Sequence, residues 1–172
     1  MQSLVCKIKP YIQPFERVLA FKEMRKIALC DPVPGLNEKP GDSVFFQIDT
    51  DVSVDFLIDN LTYWESISEN YFSRRLTRQI KREATVSLVR NGIKPDNLWK
   101  SLPFEHDAPL PNRRVLRYAS HGIHEYRGKF FPQLVRSLLN ATGIEREAVV
   151  LDSMCGSGTT PVEAILYGCD AI

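Results

Sequence analysis

Residues 148–172, AVVLDSMCGSGTTPVEAILYGCDAI, constrain the fold of this chain more than any other stretch. The run AVVLDSM is short and apolar, as in a strand buried within a parallel sheet. Two glycines follow, Gly156 and Gly158, which permit backbone angles and close approaches that a Cβ forbids. Free N–H groups in such a loop, and the positive end of the next helix, favour a carboxylate or phosphate. Thr160 reads as the N-cap of that helix, Pro161 as its first residue and Glu163 as the end of a Thr-x-x-Glu capping box. Gly168 stops the helix, and CDAI reads as the entry into a second strand. The expected fold class is therefore α/β, opening with strand, glycine loop, helix and strand.

Pattern alone excludes several ligands. A P-loop requires GxxxxGK[ST], and no lysine follows these glycines. A dinucleotide fingerprint wants a small third residue where Pro161 stands. The nucleophile elbow GxSxG fails because Cys155 occupies its first glycine position. A purely structural turn remains the alternative to a binding loop.

The rest of the chain frames this unit. Residues 11–29 place Ile12, Phe15, Val18, Leu19, Met24, Ile27 and Ala28 at helical spacing, and a proline-rich loop follows from Cys30. VFFQIDTDVSVDF alternates around Val52, Val54 and Phe56, suggesting a strand, whereas Leu57, Ile58, Leu61, Trp64 and Ile67 suit a helix. Phe72, Leu76, Ile80, Ala84 and Leu88 recur every fourth residue, which predicts a helix over residues 71–90. Its other face carries Arg74, Arg75, Arg78, Lys81 and Arg82, candidates for phosphate contact or a solvated face. Residues 98–112 are broken by prolines and read as a linker, so a mostly helical region, 1–112, precedes a second unit, 113–172. In that unit Pro132 opens a helix through Leu134, Val135, Leu138 and Leu139.

Lys and Arg total 22 against 21 Asp and Glu, a formal charge of +1, so any nucleic-acid contact must be local rather than spread over the surface. No apolar run is long enough to span a membrane, and the N-terminus lacks a signal peptide's apolar stretch. The four cysteines form no CxxC pair, which suits a reducing cytoplasm. His121 and His124 lack the HExxH context of a metal site, and Asp49, Asp51, Asp55 and Asp59 lack the glycine and glutamate of a calcium loop, so no metal is expected.

LDSMCGSGTT resembles the S-adenosylmethionine-binding motif DPxxGSGTT of amino-group DNA methyltransferases. HGIHEYRGKFFPQLVRSLL is similar to their companion motif, HxYxxKFxPxL, which precedes it at this spacing. The resemblance covers the chain from about Arg117 and implies the start of a Rossmann-like methyltransferase domain, incomplete within these residues. It implies that Asp152 ends the first strand and orders the loop. Met154, Cys155, Gly156, Ser157 and Gly158 would wrap the methionine portion of S-adenosylmethionine, and Thr159 and Thr160 would bond its carboxylate. Lys129, Phe130, Phe131 and Pro132 would flank the cofactor. Ser153 departs from the family, which usually has proline there.

Methylating an exocyclic amine also needs a [DNS]PP[YFW] segment to accept the amine hydrogens and stack on the flipped base. The chain contains no adjacent prolines, and Asp31-Pro32-Val33-Pro34 is the nearest string. No catalytic residue is therefore expected within these 172 residues, and the chain alone should be inactive. The expected function is the cofactor-binding part of a DNA methyltransferase acting on cytosine N4 or adenine N6, of the restriction-modification kind. Its partners would be DNA and a second polypeptide or downstream segment bearing the catalytic motif. Two alternatives stand beside it: an RNA guanine-N2 methyltransferase fragment, and a non-catalytic subunit binding nucleic acid or a partner through the basic helix.

Overall fold

The computed structural model describes residues 1–35, 44–69, 73–90, 117–123 and 126–172. The first part is organised by an antiparallel sheet of five strands: β1 (Gln2–Ile8), β2 (Val33–Pro34), β3 (Phe45–Thr50), β4 (Trp64–Ser68) and β5 (Arg74–Leu76). Their spatial order is β2-β3-β1-β4-β5. In β1, Leu4, Cys6 and Ile8 point into the core while Ser3 and Val5 face out, the period-2 alternation of a half-buried strand. Phe46, Ile48 and Thr50 do the same on β3. Helices α1 (Pro14–Ile27) and α2 (Val54–Asn60) close the core with Ala20, Met24, Leu57 and Ile58. Trp64 is fully buried there, its Nε1–H donating to Ala20 O at 3.2 Å and its ring edge-on to Phe46.

Several local expectations change. Among the described residues, the region expected to be mostly helical holds helices over Pro14–Ile27, Val54–Asn60 and Arg78–Arg90 together with the five-stranded sheet. The strand of the Phe45 region ends at Thr50, and Ser53 caps α2 by accepting from Phe56 N–H at 3.3 Å, so Val54 and Phe56 are helical. Trp64 and Ile67 lie on a strand instead of a helix. The helix expected over 71–90 is α3 (Arg78–Arg90), and Arg74 and Arg75 belong to β5. Thr77 makes that break: its Oγ1 accepts from Ile80 N–H and donates to Trp64 O at 2.7 Å, which fixes the helix start to β4. The proposed linker and the domain boundary at residue 112 lie outside the described residues.

The second part holds a 3₁₀ turn (Ala119–Gly122), helix α4 (Pro132–Thr142), β6 (Val149–Val150), helix α5 (Thr159–Tyr167) and β7 (Asp170–Ala171). Pro132 occupies the first turn of α4, and Gly143 ends it in the left-handed region at φ 65°. β6 and β7 are parallel, pairing Val149 with Asp170 and Val150 with Ala171. The apolar run was expected to be a strand buried on both faces; only two residues are extended, and Val149 and Leu151 are 56% and 71% exposed. β7 is its single strand neighbour among the described residues.

Helix α4 lies between α1 and α5 and joins the two parts. Its buried face toward the first part is polar: Gln133, Ser137 and Asn140 recur at helical spacing. Asn140 Nδ2 donates to Glu23 Oε2, Asn60 O and Thr62 Oγ1 at 2.9–3.1 Å. Glu23 is wholly buried, and its other oxygen accepts from the N–H groups of Thr62 and Tyr63 at 3.0 Å. Alongside, Lys9 Nζ donates to Glu83 Oε1 at 2.6 Å, and both residues are buried. The bonds of Asn140 to Glu23 and of Lys9 to Glu83 make the helix seat directional, because a buried charge or amide is costly without its partner.

Candidate cofactor site

The glycine loop lies between β6 and α5. Asp152 Oδ1 accepts from Met154 N–H at 3.2 Å, turning the chain out of the strand, while Asp152 N–H still donates to Ile172 O at 2.8 Å. Gly156 and Gly158 both have positive φ, 52° and 77°, so a side chain at either would be strained. A Cβ on Gly158 would meet none of the described residues within 4 Å, so the backbone there borders open space among them. A Cβ on Gly156 would lie 3.2 Å from the Tyr126 ring, and one on Gly128 would lie 3.1 Å from it. Tyr126 therefore sits across the loop, and the absence of both Cβ atoms makes room for its ring.

Helix α5 starts two residues earlier than the capping-box reading requires. Gly158 is its N-cap, with no side-chain cap, and Thr160 is the second helical residue. The first N–H groups of any helix lack intrahelical acceptors, and Pro161 in the first turn has no N–H to satisfy. The uncapped turn is thus available to an anion. Thr159 is buried, and its Oγ1 has no hydrogen-bond partner among the described residues, whereas Thr160 is half-buried. Gly168 closes the helix as expected, at φ 102°.

Glu163 has a different role from the capping one. It is fully buried, and its Oε1 accepts from Tyr118 OH at 2.9 Å and lies 2.8 Å from His121 Nε2. Burial first, then the Glu163 charge and hydrogen bond, push the Tyr118 phenol well above its ordinary range. Arg136 on α4 is also buried and stacks over the Tyr167 ring at 4.8 Å. Desolvation lowers its pKa, opposed by the charge of Glu163. Lys129 Nζ donates to His121 O at 2.7 Å. Tyr118, His121 and Glu163 were missed as site-shaping residues because their contact spans more than forty positions. Tyr126 stands inside the HxYxxKFxPxL pattern, and that was its signal in the sequence.

Of the sequence-derived cofactor residues, Asp152 and Met154–Thr160 form one continuous loop and helix start, with Met154 89% exposed and Cys155 exposed. Lys129 is tied to His121, Phe130 is exposed, Phe131 is the N-cap of α4, and Pro132 is buried in its first turn. Tyr126, three residues before Lys129, carries this segment onto Gly156.

The five basic residues do not form one helix face. Arg74 pairs with the buried Glu65 at 2.5 Å, Arg75 with Asp55, and Arg78 with Asp59 at 3.0 Å. Lys81 and Arg82 are half-buried on α3, and Arg82 acts electrostatically on Tyr118 and Arg136. The acidic residues thus answer these arginines. No cluster of three or more His, Cys, Asp or Glu suited to a metal occurs among the described residues, and none of their helices is long and apolar enough to cross a membrane. His124 lies outside the described residues.

A parallel strand pair is joined through a glycine loop and an uncapped helix, and a tyrosine-bearing segment lies over that loop. Residues 123–172 match the family described as RMKL-like, methyltransferase domain. Over 52 residues the chain is 42% identical to the Type II methyltransferase M.MjaII of Methanocaldococcus jannaschii, an alignment covering 30% of this chain and 10% of that protein. The chain thus corresponds to a small part of that relative's length. Its last third, residues 123–172, is methyltransferase-like in sequence.

Proposed function

We propose that residues 117–172 bind S-adenosylmethionine as part of a DNA methyltransferase that acts on an exocyclic amine, cytosine N4 or adenine N6. The observation that carries this reading is the start of α5: Gly158 at φ 77°, open space where its Cβ would be, and no side chain capping the helix. Such a terminus suits the cofactor's carboxylate. The orphaned Thr159 Oγ1 adds a polar group with bonding capacity to spare. The cofactor supplies a methyl group on a positively charged sulfur. Asp152 holds the loop in shape, Gly156 and Gly158 let the backbone approach the ligand, and Thr160 with the first-turn N–H groups holds the carboxylate. Lys129, Phe130 and Tyr126 line the covering segment. The amine-binding [DNS]PP[YFW] segment would come from a second polypeptide or from sequence outside these 172 residues, and the chain by itself would transfer no methyl group. The name of the M.MjaII relative favours a restriction-modification setting.

Isothermal titration of the purified chain with S-adenosylmethionine and S-adenosylhomocysteine tests this reading. Saturable binding of both, lost in Gly158→Asp, is the expected result. No binding to the folded wild-type chain would overturn it. Mobility shift of duplex DNA, with and without cofactor, then tests the nucleic-acid partner, and an RNA duplex in parallel tests the alternative substrate.

A further inference from the structure

Glu163 was expected to cap its own helix and instead turns inward to a segment more than forty residues upstream. A fully buried carboxylate is costly unless its oxygens are bonded. Here one oxygen takes both contacts, from Tyr118 OH at 2.9 Å and His121 at 2.8 Å, while Oε2 has no hydrogen-bond partner among the described residues. His121 is in turn tied to the covering segment, because its carbonyl accepts from Lys129 Nζ at 2.7 Å. Three residues beyond His121's bonded neighbour in the other direction, Tyr126 lies against Gly156. The loop and the segment above it are therefore joined at two points: at the glycine by ring packing, and one turn into α5 by Glu163.

We infer that Glu163 is a positioning residue of the cofactor site: its carboxylate clamps the Tyr118–His121 turn to helix α5 and so sets the height of the 126–130 segment over the glycine loop. This rests on the cofactor reading above for its functional consequence, though not for its geometry. Glutamine can reproduce the clamp, since its amide oxygen can take the Oε1 position and accept from both Tyr118 and His121. Alanine cannot. Tyr118→Phe removes one donor and keeps the ring, giving a milder variant should Glu163→Ala not fold.

The test uses the full chain and two readouts, amide hydrogen exchange over 118–122 and 154–158, and titration with S-adenosylmethionine. The expected result is exchange about tenfold faster at both segments in Glu163→Ala, a smaller rise in Tyr118→Phe, and near wild-type behaviour in Glu163→Gln. The cofactor Kd should follow the same order, rising about tenfold in the alanine variant and less than about twofold in the glutamine variant. Unchanged exchange in folded Glu163→Ala or in Tyr118→Phe would overturn the clamp. Equal damage from alanine and glutamine would also overturn it, since charge rather than the tether would then be what matters. Faster exchange with an unaltered Kd would overturn the positioning role and leave a core contact. A wild-type chain that binds no cofactor would sink the cofactor reading, and the exchange data would still decide the clamp.

Discussion

Asn140 Nδ2 meets Glu23 Oε2 at 3.0 Å across 117 positions of sequence, and both residues are completely buried. The same amide nitrogen also lies within hydrogen-bond reach of Asn60 O and Thr62 Oγ1, so its two N–H groups are shared among three oxygens of the sheet-bearing part. Asn140→Ala removes a donor from Glu23 Oε2, Asn60 O and Thr62 Oγ1, while Glu23 keeps the N–H groups of Thr62 and Tyr63. A loss of about 1–3 kcal/mol in urea unfolding is expected, with the two parts loosening together. Asn140→Leu should be no milder, because shape is not what is missing.

Glu23 also gives stability a pH dependence. Burial raises its pKa above the ordinary 4.5, only partly opposed by the donors of Tyr63, Asn140 and Thr62. The folded chain therefore keeps a proton that the unfolded chain has released, across the window from the ordinary value up to the raised one. In that window stability falls as pH rises. Denaturant midpoints measured from pH 4 upward, about half a unit apart, should decline for the wild type and decline less for Glu23→Gln.

Lys9 and Glu83 form an ion pair with both side chains 2% exposed. Among the described residues, Lys9→Met leaves the Glu83 carboxylate with Gln79 at 3.0 Å and a long contact to Gln133 at 3.5 Å. Breaking a buried pair on one side costs about 3–5 kcal/mol. Replacing both, as Lys9→Met with Glu83→Leu, should recover much of that loss in the same thermal or urea experiment.

Gly156→Ala sets a Cβ 3.2 Å from the Tyr126 ring in a backbone conformation that alanine rarely adopts. The expected outcome is a ring displaced from the loop, read as increased Tyr126 exposure by tyrosine fluorescence, with weaker cofactor binding. Tyr126→Ala should relieve the crowding in the double variant without removing the strain at φ 52°. A double variant as impaired as Gly156→Ala alone would place the whole effect in the backbone.

Cys155 is exposed on the glycine loop, while Cys6 and Cys169 are buried. Burial also pushes the Cys6 thiol far up, which lowers its thiolate fraction. Brief maleimide labelling followed by peptide mass analysis should modify Cys155 first and Cys6 last. Saturating S-adenosylmethionine should slow the labelling of Cys155 and leave Cys30 unaffected.

The parts legible in the sequence were those governed by local backbone chemistry. Gly156, Gly158 and Gly168 mark conformations that a reader can infer from residue type, and Pro132 marks a helix start for the same reason. The misread elements depend on distant partners. The β1–β4 register shifts between Lys7 and Ile8, so Trp64 and Ile67 both face inward although they stand three apart, and that spacing imitates a helix. Leu76, Ile80 and Ala84 keep a four-residue rhythm across a strand-to-helix junction that only Thr77, bonded to Trp64, reveals. Glu163 fits a local capping box equally well on paper, and its burial against Tyr118 and His121 decides the matter. Arg74, Arg75 and Arg78 read as one basic face because their partners Glu65, Asp55 and Asp59 lie on other elements.

The polar seat of α4 means that the glycine-loop unit is not a transplantable cassette. A piece comprising residues 117–172 alone would keep the loop's fingerprint but present Gln133, Ser137 and Asn140 to solvent, on the face that now meets the sheet-bearing part. Anyone grafting this unit onto another scaffold would need to carry over a carboxylate in the place of Glu23, because the helix behind the loop takes its orientation from that distant acceptor.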